Sequence, residues 1–311
     1  MLTRLLRRAA PLVPMLGLTL GLTLCLGACA SIPAPREDSS SEAAQALFDA
    51  AAEAHGRAAF ERLQDIAVSY DGEWYRLIRT LQGALVDPDY RKASEERLLI
   101  DADTIGQVHT GPAGRKVVLR TRAWRAGDVP DAPREVSVSY DGEPDDTPVV
   151  LDAAALVADA YRMFLLGPLH FIGSEPQLET LSPVRLNGRT VDRLRVRTEP
   201  GLGASGRDDH VLYIDREERL TRRIRFSLGG LASTRGAIVE TDLSDYIERD
   251  GLRVPTRFFE RVRRPIPLLK AHRWRLTGLD LNRGTTREEV SATGFTGSAR
   301  RPATPLDRPV D

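Results

Sequence analysis

Beyond about residue 65 the apolar side chains stop repeating every three to four positions and begin to alternate. Nothing else in the chain constrains its fold as much. Ile66, Val68 and Tyr70 alternate with Ala67 and Ser69, and Val136, Val138 and Tyr140 with Ser137 and Ser139. Leu194 and Val196 alternate with Arg193, Arg195 and Arg197; Ile224, Phe226 and Leu228 alternate with Arg223, Arg225 and Ser227. Successive strand side chains point to opposite faces, so these segments predict an antiparallel sheet with one apolar and one wet face. Asp71-Gly72, Asp141-Gly142, Asn187-Gly188 and Asp250-Gly251 are expected as hairpin turns. Strands follow strands with few helices between them, which argues against a parallel α/β sheet. The arginine-rich face reads as solvated, because Asp and Glu are interspersed with it.

Two segments keep a helical period. Ala44, Leu47, Phe48, Ala51, Ala58 and Leu63 share one helical stripe, with His55 and Gly56 inside it and Ser39 and Glu42 at capping-box spacing. Residues 153–166 are apolar on most sides, with Asp152 as the expected N-cap and Gly167-Pro168 as the stop. A helix so poor in polar surface is buried, or covers something apolar. The fold class expected is α+β and mostly antiparallel: an incomplete, half-open β-barrel with an N-terminal helix and an apolar lid helix on its concave face. Such a body either holds a hydrophobic ligand or fills its core with its own side chains. In the first case Leu156, Tyr161, Phe164 and Leu165 on the helix and Val196, Ile224 and Phe226 on strands are the expected lining.

The N-terminus decides location. Arg4, Arg7 and Arg8 form a basic region without acids, and Pro11 to Ala28 is almost wholly apolar, the layout of a secretory signal. It ends Leu26-Gly27-Ala28-Cys29, which resembles a bacterial lipobox. That resemblance implies cleavage before Cys29 and acylation of its thiol, palmitate-type chains anchoring the protein in the membrane. Ala30, in place of the Asp that retains such proteins at the inner membrane, implies the outer membrane with the body facing the periplasm. The remaining cysteine, Cys25, lies in the signal, so the mature chain is expected to fold without disulfides or thiolate metal sites. The organisation expected is a signal over 1–28, a tether over 29–40, one domain over 41–292 and a disordered tail over 293–311. Cleavage removes three Arg and leaves 41 basic against 44 acidic residues in 283, a balance that does not point to nucleic acid.

Residues able to carry chemistry are scattered. His55, His109, His170, His210 and His272 show no metal-ligand spacing. Ser205, in Gly203-Ala204-Ser205-Gly206, lacks a nucleophile-elbow context and reads as a polar loop. Gly111 to Lys116 reads as a Gly-Pro turn rather than a phosphate loop. Glu95 and Glu96, with Arg91 and Arg97 nearby, are strand neighbours and so face opposite ways. Asp208-Asp209-His210 is the densest cluster and precedes the strand Val211 to Asp215. No enzyme signature results, and no cofactor or metal is expected.

In organisation the chain resembles the lipoprotein-localisation superfamily, the LolA/LolB-like carriers and receptors and related mycobacterial lipoproteins. The likeness runs through Ala54-His55-Gly56, the strands Ile66 to Tyr70 and from Trp74, and Asp209 to Asp215 followed by Arg222 to Phe226. It continues through Asp245-Tyr246, Asp250 to Pro255 and a last strand around Trp274. Asp209 to Arg261 carries most of it. The resemblance implies an incomplete barrel with a helical lid, in proteins that handle acyl chains or lipoproteins. It also suggests that Arg263 to Lys270, apolar at Ile266, Leu268 and Leu269 and basic at both ends, is a membrane-contact loop; the alternative is a proline-bounded connection whose leucines pack inward. The first functional expectation is a non-enzymatic lipoprotein binding a lipid or acyl chain. The others are an envelope scaffold with a self-filled core, and a hydrolase built on Asp208, Asp209 and His210.

Overall fold

The computed structural model describes residues 41–122 and 135–291 together with Phe295, Ser298 and Ala299. Cys29, the signal, the tether and the cap position Ser39 lie outside the described residues. The helices are α1 (Ser41–His55), α2 (Arg57–Phe60), α3 (Arg76–Leu81), α4 (Gly83–Val86), α5 (Pro148–Leu166) and α6 (Arg287–Ser291). The strands are β1 (Asp65–Trp74), β2 (Ala93–Leu99), β3 (Thr104–Gly111), β4 (Gly114–Thr121), β5 (Val136–Tyr140) and β6 (Glu143–Pro144). They continue with β7 (Gln177–Leu186), β8 (Arg189–Thr198), β9 (Asp208–Asp215), β10 (Thr221–Ser227), β11 (Ile238–Arg249), β12 (Leu252–Arg264) and β13 (Leu269–Leu281).

The strands form one 13-stranded sheet in the order β6-β5-β4-β3-β2-β1-β13-β12-β11-β10-β9-β8-β7. Every pairing is antiparallel. The chain enters at β1, builds one wing to β6, crosses through α5 to the far edge and returns strand by strand to β13 beside β1. The edges β6 and β7 do not pair, so the barrel stays open, as expected of the fold class. The sheet curls around α5, which touches β4 and β5 on one wing and β12 on the other. Among the described residues no helix is long and apolar enough to cross a membrane.

Several sequence expectations shift in place. Asp71-Gly72 is not a turn: β1 runs through it, with Asp71 opposite Arg275 and Gly72 opposite Trp274. Glycine is needed there because a Cβ would strike the Cβ of Trp274 and the carbonyl of Arg273. The other three pairs are hairpin turns with both residues at positive φ, for instance Asn187 at 48° and Gly188 at 81°. The N-terminal helix breaks at Gly56, whose φ of 95° and close approach to the Gly251 carbonyl no side chain could share. The lid helix starts at Pro148 rather than at Asp152, proline being well suited to a first helical turn. Gly167, at φ 56°, ends it as expected. The tail expected to be disordered is partly pinned: Phe295 lies under the Arg97 guanidinium, 4.5 Å away, and the Ala299 N–H donates to Ser69.

Candidate functional site

The seven residues expected to line a ligand pocket do come together. Leu156, Tyr161, Phe164 and Leu165 of α5 and Val196, Ile224 and Phe226 of the sheet belong to one buried core. They fill it rather than line a cavity: Phe164 packs on Phe226 with ring centroids 5.5 Å apart, and none is more than 8% exposed. Beside this core lies a half-open void of about 20 Å3, room for about one water, whereas ligand pockets run to hundreds of Å3.

That void marks a second, polar half of the concave face. Register places Tyr70, Ser94, His109 and Lys116 in one cross-strand row, and Val68, Glu96, Gln107 and Val118 in the next. Arg91 enters from the segment before β2 and is 6% exposed. Its Nη1 donates to the Leu85 carbonyl at 2.6 Å, and its Nη2 to the Tyr161 hydroxyl at 3.3 Å. The Tyr161 hydroxyl in turn shares a hydrogen bond with His272 Nδ1 at 3.2 Å. The Arg91 guanidinium also lies over Trp74, 4.9 Å from its ring. Trp74, His272, Trp274 and Phe258 stack in series, with successive centroids 3.8, 4.5 and 4.9 Å apart. They form an aromatic ladder from the rim into the core.

Charges here are governed by burial. Burial pushes Glu96 and Glu260 up to about 7, partly opposed by the field of Arg91. Burial, with Arg91 beside them, holds His109 and His272 well below the usual histidine range, so both are neutral near pH 7. Gln107 is wholly buried beside Glu96, and neither of its amide atoms has a hydrogen bond of normal geometry. The alternation could have revealed this strip: Glu96 stands two residues from Leu98 and therefore shares its face.

Other candidates separate. Asp208 accepts from the Leu202 N–H at 2.7 Å and the Ser205 hydroxyl at 2.9 Å, so both side chains brace a loop. Asp209 pairs with Arg197 at 3.0 Å, while His210 is buried against Phe171, where burial lowers it to about 4. The strand sends Asp209 and His210 to opposite faces. Glu95 and Glu96 diverge likewise: Glu95 accepts from Ser69 and Glu96 from Ser94. His55 is buried in contact with Tyr246 and accepts the Thr221 N–H, and His170 lies among Arg122 and Arg162. The β12–β13 hairpin tip is exposed, with Ile266 44% and Leu268 61% accessible and Leu269 half-buried. Register puts the tip at the end of the sheet where Trp74 pairs with His272 and α3 begins, and α3 adds exposed Leu77 and Leu81.

A larger open cleft of about 1490 Å3 lies on the outer face, where the sequence suggested only solvated charge. Its walls are cross-strand ion pairs, among them Asp71–Arg275 at 2.8 Å, Glu73–Arg273 and Asp245–Arg257 at 2.6 Å, with Tyr75 and Phe259 between them.

No protein-family model and no curated protein matches the chain. Among solved structures, a DUF1329 family protein from Desulfovibrio piger is 12% identical with a TM-score of 0.51, over 80% of this chain and 98% of that one. A domain described as an outer membrane lipoprotein-sorting protein from Vibrio parahaemolyticus is 9% identical with a TM-score of 0.48, over 80% and 97%. A LolA superfamily protein from Nitrosomonas europaea is 11% identical with a TM-score of 0.40, over 77% and 93%. What is shared at this identity is a fold. The open antiparallel barrel wrapped on an inner helix is the architecture that the sequence led one to expect.

Proposed function

We propose that the protein is a non-enzymatic lipoprotein that takes up a lipid or acyl chain between α5 and the sheet. In this reading Cys29 carries the membrane anchor and the body faces the periplasm from the outer membrane. The observation that carries the proposal is α5 itself. It is an apolar helix lodged in a barrel that never closes, so nothing covalent or in the sheet's hydrogen bonding holds the cover shut. The filled core is then the closed, empty state, and α3 and α4, which pack on β13 and α5 and so cover the rim, must move before a chain enters. Leu77, Leu81, Ile266 and Leu268 on the rim, with Arg263, Arg264 and Lys270 beside the tip, suit contact with an anionic bilayer surface.

Native mass spectrometry of protein extracted from membranes is expected to show bound lipid. A lipid-free spectrum combined with no uptake of a fluorescent fatty acid would refute the reading. The pair Ile266→Asp and Leu268→Asp, made in a chain whose Cys29 is replaced by Ser, is expected to weaken flotation with anionic vesicles and leave the melting temperature unchanged. Unchanged flotation would remove the tip from the proposal. The core's lack of a lipid-sized cavity favours a second reading, an envelope scaffold whose interior is complete. Capture of one protein partner by a lipid-free chain would support that instead.

A further inference from the structure

We propose that Arg91 is the seat for the anionic head, a carboxylate or a phosphate, of the acyl ligand; this rests on the carrier reading above and adds the chemistry of the head group. Three observations converge on it. Arg91 is more than nine-tenths buried, yet its Nε has no hydrogen-bond partner, and among the described residues no carboxylate lies within ion-pair distance of it. A buried guanidinium without a contacting counter-charge is costly, and in native interiors such a group usually has a role beyond packing. The void lies directly against it and is lined by polar groups, namely Ser94, His109, Tyr161 and His272. It has the size of a single oxygen-bearing group, and a neutral imidazole with an N–H donor suits an oxyanion beside a guanidinium fork.

Position supplies the third observation. Arg91 precedes exposed Lys92 and lies over half-buried Trp74, so the site is at the rim. From there the aromatic ladder leads through His272 and Trp274 to Phe258, and Trp274 stacks on Tyr161 at 5.2 Å, next to Phe164. An amphiphile with its charged head at Arg91 would lay its tail along this ladder into the apolar core. Gly72 keeps the entrance clear, since any side chain there would strike Trp274 and His272. Arg91 also binds the carbonyl of Leu85 in α4. A head group that draws the guanidinium away would free that cover. Glu96 and Glu260 stand beyond contact, and with pKa values raised by burial they offset the guanidinium only in part near neutral pH.

The test is displacement of a fluorescent acyl probe from the full lipidated chain in nanodiscs, by oleate, 1-oleoyl lysophosphatidic acid or oleyl alcohol. At least one of the two anions is expected to bind about tenfold or more tighter than the alcohol, and which one distinguishes a fatty acid from a phospholipid head. Arg91→Met is expected to abolish that preference, so that neither anion binds more tightly than oleyl alcohol. Because Arg91→Met could also loosen α4, the double variant Glu96→Gln, Glu260→Gln provides a gain: removing both nearby carboxylates is expected to tighten anion binding at pH 8. Equal affinity for all three ligands, or an unchanged anion preference in Arg91→Met, would overturn the head-group site and leave the carrier reading standing. Binding of none of the three would overturn the carrier reading itself, and this inference with it.

Discussion

Glu96 shows how a single residue can carry the pH behaviour of the fold. In the folded chain it holds its proton up to about pH 7, whereas its ordinary pKa is 4.5. Between those values the folded state binds more protons than the unfolded one, so stability falls as pH rises through that window and stays reduced above it. A shift of that size corresponds to about 3 kcal/mol. Glu96→Gln, which is uncharged at every pH, is expected to melt several degrees higher than wild type at pH 8.5 and within a degree or two of it at pH 4. A melting difference that does not change with pH would exclude this origin. The same residue shows the limit of reading by type. Alternation told correctly that Glu95 and Glu96 diverge and that Glu96 shares the face of Leu98, but not that register lays Gln107 beside it. Glycine was legible only by half: Asp250-Gly251 is the turn it resembles, whereas Gly72 has the same local sequence and exists to admit Trp274. Turn propensity is local, and close approach is decided by a strand 200 residues away.

At the scale of elements, the apolar helix and the outward arginines were legible because burial imposes a period on sequence. The pairing of β1 with β13 was not, since no local pattern reports a partner so distant. Nor were the charges that fix α5. Asp159 is wholly buried on the helix, accepting from Arg120 Nη2 at 3.1 Å and from the Gly203 N–H at 2.8 Å, with Arg122 at 3.9 Å. Arg162, one turn on, lies 3.4 Å from Asp103. An interior acid between two arginines contributes little net stability against apolar substitutes, but removing one side of it leaves buried cations uncompensated. Asp159→Ala is therefore expected to cost about 3–5 kcal/mol in denaturant unfolding, and the double variant Asp159→Leu, Arg120→Met to cost less than the single one. A double variant as unstable as Asp159→Ala would show that this pair does not anchor α5. Polar contacts along one flank and apolar ones along the rest seat α5 in one register.

The topology of the whole molecule bears most directly on the carrier reading. Because α5 carries the chain from one edge of the sheet to the other, β6 and β7 stand at opposite ends of the pairing order, and no strand pairing joins the two wings there. The rim cover, α3 and α4, begins directly after β1 and reaches across to the loop before β11. There the Ser233 hydroxyl donates to Gln82 Oε1 at 3.3 Å, and Gln82 Nε2 donates to the Ser233 carbonyl at 3.4 Å. Each of these exposed contacts is worth about 1 kcal/mol or less, and the firmer hold on the cover is Arg91, whose Nη1 donates to the Leu85 carbonyl of α4. If uptake needs the cover to swing, tethering it should block uptake without touching the interior. The sequence has no cysteine besides Cys25 and Cys29, so in a chain with both of these replaced, cysteines at Gln82 and Ser233 would be the only thiols and a short bis-maleimide can bridge them selectively. The bridged protein is expected to lose uptake of a fluorescent fatty acid while keeping or raising its melting temperature, and the two single-cysteine variants, treated identically, to bind as wild type does. Uptake that survives the bridge would place the entrance elsewhere, along the unpaired edges of β6 and β7, and would make α5 rather than the rim helices the moving part.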